Sequence, residues 1–75
     1  MLEKHSVSIR GHRTSYSLEP EFQRELEAIA QETGTSLAAL IARIDAGRKP
    51  ETNLSSALRL HVLAHLKSRE DRAEG

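Results

Sequence analysis

A chain of 75 residues can form one small domain with a modest core, so a partner copy is expected. The absence of cysteine excludes disulfides and thiolate zinc sites, and 37% apolar, 3% aromatic and 29% charged residues make the chain polar but too well patterned for disorder. Eleven basic and 11 acidic residues cancel, which on its face argues against a strongly basic nucleic-acid binder, and no apolar stretch approaches a membrane span or signal-peptide core. The chain is therefore expected to be soluble and cytoplasmic, with no membrane contact.

From Ser6 to Leu18 apolar and polar residues alternate with a strand period: Val7 and Ile9, then Thr14, Tyr16 and Leu18. Between them the apolar positions change from odd to even numbers, so a straight strand would split them between two faces. A two-residue hairpin loop at Gly11-His12, with Gly first as a type II′ turn prefers, would set Ile9 opposite Thr14 and Val7 opposite Tyr16. A bulge at Gly11 would repair the parity as well.

Glu19-Pro20 opens the first helix, predicted over 20–33, because Pro is tolerated in a first turn and acids suit the positive end of the helix dipole. Phe22, Leu26, Ile29 and Ala30 form its apolar stripe, with Gln23, Arg24, Glu25, Glu27 and Gln31 on the other face. Gly34 stops it where a left-handed residue is wanted, and Ser36 caps a second helix predicted over 37–48, with Leu37, Leu40, Ile41 and Ile44 as its stripe. Gly47 and Pro50 end that helix. Asn53 or Ser55 then caps a third over 54–67, carrying Leu54, Leu58, Val62, Leu63 and Leu66. Residues 1–67 make the domain, and 68–75 a charged tail expected to fray.

Charge is segregated along these elements: residues 1–18 carry +2, 19–34 carry −4, 35–50 carry +2 and 51–75 carry zero. A two-stranded ribbon alone is marginal in water, so pairing the strand region with a second chain is the economical solution.

The ordered set GHRTSYSLEPEF, a helix, GTSLAALIARID and NLSSALRLHVL resembles the small bacterial ribbon-helix-helix domains, from about Lys4 to Leu66. The resemblance implies a mainly α fold with a short N-terminal β-ribbon: an intertwined ribbon-helix-helix homodimer with an additional C-terminal helix. It also implies a sequence-specific DNA-binding protein, a transcriptional regulator that inserts an intermolecular ribbon into the major groove. Parity then turns Arg13, Ser15 and Ser17 toward the bases, where Arg can bond a guanine edge twice and Ser several bases. Thr35, Ser36 and Leu37 occupy the start of the second helix, which anchors phosphate in such proteins, and Lys4 and Arg10 add phosphate contacts. Tyr16, Leu18, Phe22, Leu26, Leu40, Ile41 and Ile44 are the expected dimer core. If residues 6–10 form an outer strand, the dimer sheet has four strands, and a groove about 12 Å wide suits two better.

Each of these patterns also has a plainer reading. Arg13, Ser15 and Ser17 describe a solvated strand face, and Arg48 and Lys49 are cations stabilised at a helix C-terminus. His61 and His65 share a helix face four residues apart, but two ligands make no metal site and no acid stands at the right helical spacing beside them. Ser55 and Ser56 suit helix capping, with no His or Asp placed to activate them. No glycine loop, carboxylate pair or metal constellation suggests an enzyme or a cofactor. The competing class is a homodimeric protein-interaction module of the same fold, or an antitoxin-like partner, binding another protein through the C-terminal helix.

Overall fold

The computed structural model describes residues 1–74, with side chains through residue 70. In chain order the elements are β1 (Glu3–Ile9), β2 (His12–Leu18), α1 (Pro20–Glu32), α2 (Leu37–Gly47) and α3 (Leu54–Glu74). The strands form one antiparallel two-stranded sheet.

The hairpin turns on Arg10-Gly11, one residue earlier than Gly11-His12, and β1 starts at Glu3 rather than at residue 6. Both turn residues have positive φ, +52° at Arg10 and +81° at Gly11, as a type I′ turn requires. The register is therefore Ile9 opposite His12, Val7 opposite Thr14 and His5 opposite Tyr16. This is a two-residue slide from the expected pairing, and because side chains alternate with period two, the slide leaves every residue on its expected face.

The apolar face of the hairpin packs on all three helices. Ile9, Tyr16 and Leu18 meet Leu26, Ile29 and Ala30 of α1, Leu40 and Ile41 of α2, and Leu54, Leu58 and Val62 of α3. Leu18, Leu26, Ile41, Leu58 and Val62 are sealed from water, each stabilising the fold by about 1.5–3 kcal/mol. Of the residues assigned to a dimer core, Tyr16, Leu18, Leu26, Leu40 and Ile41 are buried within the single chain, and Phe22 and Ile44 are half-buried.

Gln23, expected on the solvent face of α1, is only 9% exposed. Its Oε1 accepts from the Tyr16 hydroxyl at 2.9 Å and its Nε2 donates to Glu27 at 3.2 Å, because a buried phenol needs a partner that no apolar side chain provides. Burial pushes the Tyr16 phenol above its ordinary pKa. His5 stacks on the Tyr16 ring with centroids 5.3 Å apart.

Gly34, at φ +68°, ends α1, and Ser36 Oγ accepts from Ala39 N at 3.0 Å to start α2. Asn53 caps α3 through its Oδ1, which accepts from Ser56 N at 2.8 Å. Ser55 does something else: its Oγ accepts from Ser17 N at 3.0 Å, fastening α3 to the outer edge of β2. Arg59 adds an ion pair with Glu19 at 3.0 Å, and its guanidinium carbon lies 6.0 Å from the Phe22 ring centre.

On α3, Leu63 and Leu66 do not join the stripe; they are 49% and 40% exposed, because the buried arc runs through Leu54, Leu58 and Val62. The helix also continues past residue 67 to Glu74. Arg69 Nη1 donates to Glu32 at 3.0 Å, and His65 Nε2 lies 3.2 Å from the same carboxylate, which ties this extension to the end of α1. Gly75, the end of the expected tail, lies outside the described residues. Among the described residues no helix is long and apolar enough to cross a membrane.

Candidate nucleic-acid interface

Register fixes which side chains share the outward face of the hairpin. Opposite one another stand Lys4 and Ser17, Ser6 and Ser15, and Ser8 and Arg13. All are exposed except Ser17, which is half-buried. The face thus offers four exposed or half-exposed hydroxyls and two cations, with Arg10 at the exposed tip and no carboxylate. No ion pair among the described residues engages Lys4, Arg10 or Arg13. Hydroxyls that donate or accept, set between uncompensated cations, are the groups that duplex edges and phosphates can use.

The structure places Arg13, Ser15 and Ser17 together on this face, beside Lys4. Ser6 and Ser8 belong to the same surface. Alternation hinted at them, but only the pairing register puts them level with Ser15 and Arg13.

Arg10 holds a backbone conformation that non-glycine residues seldom adopt and that a type I′ turn normally gives to Asn, Asp or Gly. Such strain persists where the surrounding structure imposes it, and here it keeps a cation at the end of the ribbon.

Thr35, Ser36 and Leu37 sit on a separate element, the joint between α1 and α2. Thr35 N donates to Ala30 O at 2.9 Å and the Ser36 hydroxyl is occupied as the cap, so the amides of Leu37 and Ala38 are the ones that open the helix.

The edges of β2 decide how wide the ribbon is. In a hairpin closed by two residues the flanking pair shares both hydrogen bonds, so even-numbered residues of β2 bond β1, and Arg13, Ser15 and Ser17 point their backbone groups the other way. The Ser17 amide on that edge is taken by Ser55. A second copy joined there would make four strands with outer axes about 14 Å apart, whereas the hairpin's own two axes lie about 5 Å apart.

Among the described residues no group of three or more His, Asp or Glu side chains could hold a metal ion.

An N-terminal two-stranded antiparallel ribbon followed by three helices is the arrangement of a ribbon-helix-helix fold with one added C-terminal helix. The ribbon-helix-helix domain family matches this chain over residues 2–66, and the chain belongs to that family. Its members generally bind DNA as homodimers and act as transcription regulators or antitoxins, typically without enzymatic activity. No curated protein and no solved structure matches the chain.

Proposed function

We propose that the chain is a homodimeric, cytoplasmic transcriptional regulator that binds double-stranded DNA sequence-specifically by laying the outward face of its own hairpin in the major groove. The observation that carries this reading is the uncovered face of Lys4, Ser6, Ser8, Arg13, Ser15 and Ser17, which holds no carboxylate although the whole chain is neutral. Strand β1 lies beside β2, in the plane of the sheet, and leaves that face open. With β1 as the second strand, a groove-sized ribbon is complete in one chain, and a second copy brings a second ribbon to a neighbouring half-site.

In this reading Arg13 bonds a guanine edge through two donors, Ser15 and Ser17 bond neighbouring bases, and Lys4 and Arg10 neutralise phosphates. The start of α2, at Thr35, Ser36 and Leu37, offers backbone amides to a further phosphate. A second reading rests on Leu63 and Leu66: exposed on α3, they suit a protein partner, as an antitoxin-like role would need, or the second copy.

Fluorescence anisotropy with labelled duplexes tests the first reading. Expected is binding at about 50 mM salt that weakens with a log–log slope of about −4, for Lys4 and Arg10 of two copies. A folded chain that binds no duplex from a randomised pool at that salt sinks it.

A further inference from the structure

We infer that the concave groove between the C-terminal turn of α2 and the middle of α3 binds a small organic anion with an apolar body. Arg43, Arg48 and Lys49 hold its head, and Ile44 and Leu60 carry its body.

The groove is a shallow concavity open to solvent that offers about 560 Å³, within the size range of small-molecule sites. Its lining holds Arg43, Arg48, Lys49 and His61 and no carboxylate. Arg48 is oriented by two hydrogen bonds: its Nε donates to Asp45 at 2.7 Å and its Nη1 to the Thr52 carbonyl at 2.8 Å. Two of its five donors are thereby used, and the other three stay available. Arg43 and Lys49 enter no ion pair among the described residues. Asp45 offsets one charge, so the rim keeps a net surplus of two cations on a chain whose total is zero.

The floor selects the kind of anion. Ile44 is half-buried and Leu60, at 60%, is the most exposed leucine of α3. A bare phosphate gains nothing from these carbons, and a neutral alkyl compound leaves the cations unused. A ligand with both parts uses both, and the groove is large enough to take it as a single molecule. This inference does not depend on DNA binding.

The experiment titrates the full-length, ¹⁵N-labelled chain with octyl phosphate below its micelle concentration and follows amide shifts. Expected is saturable binding with Kd on the order of 1 mM, with shifts confined to residues 43–61, and binding at least about tenfold weaker for inorganic phosphate and for octyl glucoside. Arg43→Ala with Lys49→Ala should weaken octyl phosphate about tenfold, and Leu60→Ser should narrow its advantage over inorganic phosphate. Arg24→Ala, on α1, should change neither. Equal binding of octyl glucoside, shifts spread over the whole chain, or binding only to phosphatidylglycerol vesicles and not to the monomeric ligand would each overturn the proposal. The comparison among ligands is made on the unaltered chain, so it stands even if a variant fails to fold.

Discussion

The hairpin face and the α2–α3 groove both carry more cations than carboxylates, yet they suit different anions. On the ribbon, Lys4 and Arg13 stand at opposite ends of an extended face that also carries four serines. In the groove, Arg43, Arg48 and Lys49 surround Ile44 and Leu60 in a concavity. An extended row of cations and hydroxyls matches a regular polyanion, whereas a concave cluster over carbon matches one amphipathic molecule. Local arrangement, rather than net charge, separates them.

The largest effect should come from what the two surfaces share. Leu58 is sealed beneath the hairpin and on the helix that walls the groove, so Leu58→Ala should cost about 3 kcal/mol, a large share of the stability of so small a domain. Chemical denaturation should show the loss, with DNA and octyl phosphate binding failing together. If one binding survives unfolding of the other region, the two do not stand on one core.

Arg13→Ala should separate them. Duplex affinity should fall about tenfold or more, with weaker preference among sequences, while octyl phosphate binding and thermal stability stay unchanged. Lost stability instead would make Arg13 structural.

Arg10→Asn should act in opposite directions on fold and binding. Relief of the left-handed arginine should raise stability by about 0.5–1 kcal/mol. Loss of the charge should lower the steepness of the salt dependence by about one per copy. An unchanged slope would remove Arg10 from the interface.

The smallest effect belongs to the groove. Burial, and then the charges of His65 and Arg43, hold His61 below the ordinary imidazole range. The unfolded chain therefore takes up this proton first as the pH falls. Stability is full above the ordinary histidine pKa, declines as the pH drops through it, and levels off below the lowered value. Thermal melts between about pH 7 and 5 should fall less steeply for His61→Asn than for the unaltered chain. Equal slopes would show that the His61 proton is indifferent to folding.

The helix boundaries other than the end of α3 were legible because their punctuation is chemical: Pro20 in a first turn, Gly34 in a left-handed stop and Ser36 as a cap. The ribbon was legible by face but not by register. Gly11 serves equally as the first residue of a type II′ loop or the second of a type I′ loop, and an arginine gives no sign of positive φ. Gln23 looked like a solvent residue because its partner, the Tyr16 hydroxyl, lies on another element. Ser55 looked like a cap because its acceptor role depends on where β2 ends. The groove left no trace in the sequence, since Arg43, Lys49 and His61 converge only when α3 folds back on α2. Arg48 and Lys49 alone read as ordinary helix-terminal cations.

The Arg10-Gly11 turn also bears on how the chain behaves at low abundance. A ribbon assembled from two molecules must wait for their encounter, and its stability falls with dilution. A hairpin joined by two residues closes from neighbouring sequence, on the order of 1–10 μs, without regard to how many copies are present. A few molecules per cell would each carry a closed hairpin, whatever their concentration.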